Sequence, residues 1–228
     1  INPLSQMGAN IVGRKENKLL PITVIPAKES LQGIDYQMPM ASAQVKSAIL
    51  LAGMNAEGRT TVTEPYTSRD HTERMLEGFG VTLEKSGTSI TISKVEKMTA
   101  PKEIHVPGDI SSAAFWLVAG SIIEDSDIIL KDVGINETRT GIIDVLKAMG
   151  ANIELLNVRD EVEPIADIRV RYAKLHGTSF GADIMPRLID EIPIITVASM
   201  FAEGETIITG AGELRVKETD RLQVITDE

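Results

Sequence analysis

A pattern that returns three times along this 228-residue chain restricts the folds open to it. Leu4–Ile11 is similar to Leu76–Leu83 and to Leu146–Ile153, and the glycines at positions 8, 80 and 150 within these segments are 72 and 70 residues apart. A glycine just past an amphipathic helix adopts the left-handed conformation that ends the helix, because it lacks a Cβ atom. Each copy therefore predicts a helix that ends at its glycine and continues into a strand.

A second repeated element lies upstream of each of these helices. Residues 42–53, 111–120 and 191–204 are apolar, rich in small side chains and of helical length, and a short strand-like run follows each of them. A buried helix, a strand, an amphipathic helix and a strand pair thus recur about every 70 residues, which predicts an α/β fold made of repeated units. The alternative is an ordinary two-layer α/β domain in which the similarity arose by chance.

Both ends of the chain fall inside copies of this pattern. Ile1 begins within an amphipathic helix, and Leu222–Glu228 begins another copy that stops before its glycine. A natural domain seldom ends within a helix whose apolar face is unpaired, so we expect a piece of a longer protein.

Composition excludes several classes of protein. The formal charge of −10 disfavours a general nucleic-acid binder, and the absence of cysteine excludes disulfides and thiolate metal sites. The histidines at positions 71, 105 and 176 lack the spacing of metal ligands. The longest nearly apolar run, Ala113–Ile123, is well short of the roughly 20 residues that span a bilayer, and no leader opens the chain. We therefore expect a cytoplasmic protein that binds neither membrane nor nucleic acid.

The densest charge lies in Arg215–Leu222, after a strand-like run at 206–210 and a glycine-rich turn. Strand-to-helix junctions bind anions in α/β proteins, because free backbone N–H groups and the helix dipole both favour negative charge. A solvated helix face is the alternative, and the pattern alone leaves both open.

Two further junctions carry polar residues. Ser42 follows a proline-fixed segment and is predicted to cap a helix, so that its hydroxyl and the Gln44 amide could face one ligand. Lys46, one turn later, is interpreted as no more than a solvated charge. In the second junction, Ser68 and either Glu73 or Thr72 offer helix capping, and Arg69 is placed in the first turn, where a cation is unfavourable unless an anion lies beside it.

Acidic residues begin two other apolar helices. Asp190 precedes a helix with Pro193 in its first turn, and it is either a helix cap or a partly desolvated carboxylate with a raised pKa that transfers protons. The segment Pro107–Ala113 is interpreted as a hinge or cap first and as a site only second.

These segments together resemble the 5-enolpyruvylshikimate-3-phosphate synthase family along the whole chain. The resemblance rests on five motifs, of which the last is the most specific: 42–48, 68–73, 107–113, 188–191 and 215–222. The first two motifs are similar to the bacterial branch in which glyphosate tolerance is found.

The resemblance implies an inside-out α/β barrel of two lobes, each built from three βαβαββ units, in agreement with the period found above. Residues 1–106 would belong to the first lobe and residues 107–228 to the second, with the crossing near Pro107-Gly108. A monomer is implied at full length.

The implied reaction moves the enolpyruvyl group of phosphoenolpyruvate onto the 5-hydroxyl of shikimate 3-phosphate and releases phosphate, with no metal or organic cofactor. The family's N-terminal Lys-Ser pair, the Arg that would precede Ile1 and its later Arg motifs fall outside the chain. The isolated chain is therefore expected to be inactive.

The resemblance also assigns site residues. Four of them would bind the phosphate side of shikimate 3-phosphate, with the glutamine also reaching phosphoenolpyruvate: Ser42, Ala43, Gln44 and Arg69. Lys217 would contact shikimate 3-phosphate as well. Asp190 would hold the ring hydroxyls and take the 5-hydroxyl proton, Glu218 would transfer a proton at the methylene carbon, and Arg221 would bind phosphoenolpyruvate.

Two alternatives remain at this point. The enolpyruvyl transferase that acts on UDP-N-acetylglucosamine shares the repeat, but the lack of cysteine and the Arg215–Leu222 run favour the shikimate enzyme. A non-catalytic anion-binding protein made of the same repeats is the other alternative, and it would not require Asp190 or Glu218.

Overall fold

The computed structural model describes residues 1–227 and divides the chain into two compact units, Ile1–Ile104 and His105–Glu228. Helices and small sheets alternate along both units, which confirms the predicted α/β class. Within residues 1–227, none of the helices combines the length and the apolar character that crossing a membrane would require.

The first unit contains a two-stranded antiparallel sheet and a four-stranded mixed sheet in the order β3-β4-β6-β5. Strands β3 and β4 are parallel, and the other neighbours are antiparallel. Its elements are α1 (Asn2–Gln6), β1 (Asn10–Gly13), α2 (Arg14–Asn17), β2 (Leu19–Ile25), β3 (Asp35–Gln37), α3 (Ala43–Gly53), β4 (Arg59–Thr63), α4 (His71–Gly78), β5 (Glu84–Ser86) and β6 (Ser89–Ser93).

The second unit contains a three-stranded antiparallel sheet in the order β7-β9-β8 and a short parallel pair, β10 and β11. Its elements are α5 (Ile110–Ile122), β7 (Asp127–Gly134), α6 (Gly141–Ala148), β8 (Asn152–Asp160), β9 (Pro164–Arg171), β10 (Ser179–Phe180), 3-10 helices at Met185–Arg187 and Ile189–Glu191, α7 (Ile192–Met200), β11 (Ile207–Ile208), a 3-10 helix at Gly212–Val216 and α8 (Arg221–Asp227).

The three repeated glycines end their helices in the same way. Gly8, Gly80 and Gly150 have φ angles of 97°, 77° and 91° and follow α1, α4 and α6. After each glycine, the next amide donates to the carbonyl five residues earlier, at 2.9 Å in all three copies. This bond belongs to the Schellman motif, so the predicted helix ends are confirmed.

The small-residue helices are α3, α5 and α7, and two of them lie close to a sheet through glycine. A Cβ atom on Gly53 would lie 2.8 Å from Ile92, and one on Gly120 would lie 2.6 Å from Val170. Both helices therefore need glycine at these positions in order to pack on their sheets.

A further pair of equivalent glycines shows the repeat in three dimensions. A Cβ on Gly33 would lie 2.1 Å from the Arg59 carbonyl oxygen, and one on Gly177 would lie 2.1 Å from that of Glu205. The Gly33 amide donates a hydrogen bond to the Glu57 carbonyl, and the Gly177 amide donates one to the Glu203 carbonyl, both at 2.8 Å. Each glycine thus lets two backbone segments of its own unit approach closely.

In the second unit, Asp167 on the central strand β9 stabilises two irregular neighbours. Strands β7 and β8 both shift register beside it. Its carboxylate accepts hydrogen bonds from Lys131 Nζ at 2.7 Å, the Asp132 amide at 3.1 Å and Asn157 Nδ2 at 2.8 Å. These bonds, that of Lys131 above all, lower the pKa of Asp167 to about 2.

Candidate functional site

In the first unit, the start of α3 has the predicted cap. Ser42 is the N-cap residue, and its hydroxyl oxygen accepts a hydrogen bond from the Val45 amide at 3.4 Å. The same hydroxyl donates to Gln44 Oε1 at 3.3 Å. Ala43 is the first residue of the helix, and the Gln44 side chain is exposed. This end of α3 therefore presents a hydroxyl, an amide and first-turn N–H groups together.

Lys46 is not a solvated charge, so that interpretation is wrong. Its side chain is 1% exposed and its ammonium lies 2.8 Å from Glu64 and 2.7 Å from Glu73. Glu64 also accepts hydrogen bonds from the hydroxyl and the amide of Ser68. Lys46, Glu64, Glu73 and Ser68 therefore form one buried polar network. The network satisfies charges that would be costly to bury without partners.

Arg69 lies just before α4 and not in its first turn as predicted, because the helix begins at His71 with Asp70 as its N-cap. The predicted capping by Ser68 with Glu73 or Thr72 is also wrong, since Asp70 is the N-cap residue and these side chains bond Glu64, Lys46 and Ser47 instead. Arg69 itself is half-buried beside the helix N-terminus.

The two predicted groups of the first unit lie on neighbouring helices. Ser47 and Thr72 share a hydrogen bond of 2.6 Å between their hydroxyls, and Lys46 reaches Glu73. The bonds join the N-terminal halves of α3 and α4, so the network sets how the start of α3 faces the turn that carries Arg69.

In the second unit, three of the four predicted residues line one cleft of about 650 Å³. Asp190 comes from a 3-10 helix, while Glu218 and Arg221 come from the junction before α8 and from its first residue. Lys217 is not among the lining residues and pairs with Glu213 at 2.7 Å. The lining residues are Asp109, Ser111, Arg139, Asp190, Pro193, Glu218, Thr219, Arg221, Val224 and Ile225.

The Arg221 guanidinium lies between two carboxylates. It donates to both oxygens of Glu218, at 2.7 and 2.9 Å, and to Asp190 at 3.1 Å. These bonds with Glu218 lower the pKa of Glu218 and raise that of Arg221. Glu218 is therefore held as a carboxylate in this arrangement.

The helix-cap interpretation of Asp190 is wrong, because the N-cap residue of α7 is Glu191. Asp190 instead faces the cleft with its side chain 32% exposed. Within residues 1–227, the structure contains no cluster of three or more histidine, aspartate or glutamate side chains that could hold a metal ion.

Comparisons with known proteins show the family of the chain. The sequence model of EPSP synthase (3-phosphoshikimate 1-carboxyvinyltransferase) matches residues 1–228. The chain belongs to the EPSP synthase family. Its relatives include the 3-phosphoshikimate 1-carboxyvinyltransferases of Gloeothece citriformis, 57% identical over 100% of this chain and 51% of that protein, and of Bacillus cereus, 55% identical over 100% and 52%.

Solved structures show the same fold. The EPSP synthase of Acinetobacter baumannii matches 99% of this chain and 51% of its own, with a TM-score of 0.89 and 49% identity. The enolpyruvyl transferase NikO of Streptomyces tendae matches 92% of this chain and 50% of its own, with a TM-score of 0.68 and 19% identity, which supports the fold alone. The inside-out α/β class predicted above is thereby confirmed, and the chain spans about half the length of the relatives it matches.

Some cleft residues of this EPSP synthase family member were not predicted as its site. Arg139 was missed, and Asp109 and Ser111 were interpreted first as a hinge or cap. The repeat could have revealed Arg139, because it lies 11 residues before Gly150, as Arg69 lies 11 before Gly80. Equivalent positions before α4 and α6 thus carry arginine in both units.

Proposed function

We propose that the protein containing this chain transfers the enolpyruvyl group of phosphoenolpyruvate to the 5-hydroxyl of shikimate 3-phosphate and releases phosphate. The observation that carries this proposal is the Asp190–Arg221–Glu218 cluster in one cleft of a chain that matches the family along its whole length. The cluster offers two carboxylates for proton transfer and a cation for an anionic substrate, which are the groups that this reaction requires.

Two proton movements follow from the reaction. In the addition step, the 5-hydroxyl oxygen bonds to C2 of phosphoenolpyruvate, Asp190 takes the hydroxyl proton, and the methylene carbon gains a proton from Glu218. In the elimination step, the C2–O bond to phosphate breaks, and the methyl group returns a proton to the Glu218 carboxylate to form the enol ether. Asp190 passes the hydroxyl proton on to the departing phosphate, so both carboxyl groups return to their starting protonation states within one cycle.

Arg221 connects substrate binding with the state of Glu218. The guanidinium now donates to Glu218 and Asp190, so an incoming phosphate or carboxylate would compete with these acids for its donors. When Arg221 turns to the substrate, the bond that lowers the pKa of Glu218 is lost. Glu218 then binds a proton more readily and can deliver it to the methylene carbon.

The remaining predicted residues are proposed to bind shikimate 3-phosphate. These residues are Ser42, Ala43, Gln44, Arg69 and Lys217, with Gln44 also contacting phosphoenolpyruvate. The capped start of α3 supports this assignment, because its hydroxyl and amide groups are suited to phosphate oxygens.

The proposal extends to the organisation of the whole protein. Residues 1–106 would belong to one lobe of the family fold and residues 107–228 to the other, a division supported by the boundary between the compact units after Ile104. The complete protein would be a cytoplasmic monomer.

The experiment measures phosphate release by the protein expressed from its complete gene. Phosphoenolpyruvate is supplied with either shikimate 3-phosphate or UDP-N-acetylglucosamine, and we expect release with the first acceptor alone. Release with only the UDP-sugar would replace the proposed substrate, and release with neither would favour a non-catalytic anion-binding protein.

Variants separate catalysis from folding. Asp190→Asn and Glu218→Gln should each lower kcat by about 100-fold or more, as expected for a lost acid or base. Glu205→Gln changes an exposed carboxylate of the second unit away from the cleft and serves as the matched control. Unchanged turnover in both folded site variants would contradict the assigned roles.

A further inference from the structure

Glu191, the residue after Asp190, has no role in the proposed proton transfers. Its side chain is 2% exposed, and its carboxylate accepts a hydrogen bond from the Ser111 hydroxyl. A buried carboxylate is costly unless polar groups satisfy it. The burial of Glu191 therefore ties the 3-10 helix Ile189–Glu191 to the start of α5, 80 residues earlier in the sequence.

Arg139 extends this connection to a third segment. Its guanidinium donates to the Ser111 hydroxyl oxygen at 2.7 Å and to Asp109 at 3.1 Å, and its side chain is 16% exposed. The Ser111 hydroxyl thus accepts from a cation and donates to an anion. Hydrogen bonds arranged in such a chain polarise and strengthen one another, which holds each group in one orientation.

Asp190 depends on this chain more than a residue within an α-helix would. It occupies the middle of a three-residue 3-10 helix, in which the hydrogen-bond geometry is poorer than in an α-helix. A small displacement of a reacting group costs a large factor in rate, because the near-attack geometry is lost. Fixing Glu191 through its side chain fixes the backbone that places Asp190 in the cleft.

We propose that Arg139, Ser111 and Glu191 form a hydrogen-bonded chain that positions Asp190 for proton abstraction from the acceptor hydroxyl. This inference rests on the proposed function. None of the three residues needs to touch a reacting atom, so they are positioning residues.

The test compares two neighbouring serines in the protein expressed from its complete gene. Ser111→Ala removes the link between Arg139 and Glu191. Ser112→Ala makes the same change one residue later, where the hydroxyl bonds only Asp109 at 3.3 Å among the described residues, and is the matched control. Ser111→Thr keeps a hydroxyl and should restore the link.

We expect Ser111→Ala to lower kcat by at least about tenfold, since a misplacement of about 1 Å can cost about 100-fold. The KM for phosphoenolpyruvate should stay unchanged, because Asp190 acts on the other substrate. Ser112→Ala should keep the unmodified kcat, and Ser111→Thr should recover most of it. A folded Ser111→Ala variant with kcat within about twofold of the unmodified protein, too small a change for a misplaced reacting group, would overturn the inference.

Two further outcomes are informative. Equal loss of kcat in the Ser111→Ala and Ser111→Thr variants, with a matching loss of melting temperature, would indicate a purely structural role and would also overturn the inference. If Ser111→Ala does not fold, Glu191→Met replaces it, because this apolar side chain of similar length cannot accept the hydrogen bond from Ser111; an unchanged kcat in that folded variant rejects the proposal. If the unmodified protein does not turn over shikimate 3-phosphate, the proposed function fails instead.

Discussion

Lys46 in the first unit and Arg221 in the second each lie between two carboxylates, but the two triads differ in burial. In the first unit, Lys46 lies between Glu64 and Glu73, and all three side chains are 1–2% exposed. In the second unit, Arg221 lies between Asp190 and Glu218, whose side chains are 32% and 65% exposed. The same charge pattern is therefore enclosed in one unit and open to a cleft in the other.

The difference in burial suits the first triad to a structural role and leaves the second open to the role proposed above. Buried ions have lost their hydration, so breaking one pair leaves an uncompensated charge and the arrangement is fixed. Exposed ions exchange their partners with water or with a ligand at little cost. The Lys46 triad is suited to holding α3 and α4 together, whereas the Arg221 triad is suited to releasing its carboxylates when an anion binds.

The largest expected effect on stability comes from disrupting the close backbone contact that occurs at the equivalent glycine of each unit. Gly33→Ala and Gly177→Ala each place a Cβ 2.1 Å from a carbonyl oxygen, so two paired backbone segments must separate. We expect each to lower the free energy of unfolding by more than about 5 kcal/mol, in the exceptional range for a point mutation. Urea unfolding followed by circular dichroism measures this. Gly212→Ala, where nothing lies within 4 Å of the added Cβ, is the control and should be nearly neutral.

The next effect contrasts the two triads directly. Lys46→Met leaves Glu64 and Glu73 buried without their cation and should cost about 3 to 5 kcal/mol of unfolding free energy. Arg221→Met should leave unfolding nearly unchanged, because its partners are more accessible to water, yet abolish turnover. Chemical unfolding and phosphate release are measured on both variants. Equal destabilisation by the two changes would refute the distinction between a structural and a functional triad.

The acid sensitivity of the second unit should depend on Asp167. Its pKa is depressed from 3.8 to about 2 in the folded state, so its stabilising contribution is present above the unfolded pKa and is lost as the pH falls towards 2. The melting temperature of Asp167→Asn should therefore lie below that of the unmodified protein at neutral pH, and the gap should narrow between about pH 4 and pH 2. A gap that stays constant with pH would contradict this. Asp183→Asn is an exposed control.

The smallest expected loss of stability comes from removing the N-cap side chains of α5 and α3. Asp109 accepts the Ser111 amide at 3.2 Å, whereas Ser42 accepts the Val45 amide at a longer 3.4 Å. Asp109→Ala should cost about 1 kcal/mol of unfolding free energy, the usual value for a lost cap, and Ser42→Ala should cost less. Denaturant unfolding of both variants gives the order. A larger loss at Ser42 would show that its interaction with Gln44 matters more than the cap.

Local patterns were predicted well because their physical cause is local. Gly8, Gly80 and Gly150 end helices through bonds within six residues, and the cap at Ser42 involves a residue three positions away. Roles that depend on distant contacts were predicted poorly. Lys46 was taken for a solvated charge because its partner Glu64 lies 18 residues away, on another segment.

The cleft shows the same limit. Asp190 was placed among the candidate residues by resemblance, but its alternative role as a helix cap could be rejected only when α7 was seen to begin after Glu191. Arg139 was missed because no local motif marks it, although its spacing from Gly150 equals that of Arg69 from Gly80. Comparing the copies of the repeat position by position would have found it.

The sequence alone determined the repeated α/β unit, the ends of its helices and the residue types available for binding an anion, since these follow from backbone preferences and short-range bonds. Only the tertiary structure decided which cation is enclosed and which faces a cleft. Burial depends on segments far apart in the chain, and the cost of removing a charge from water depends on burial.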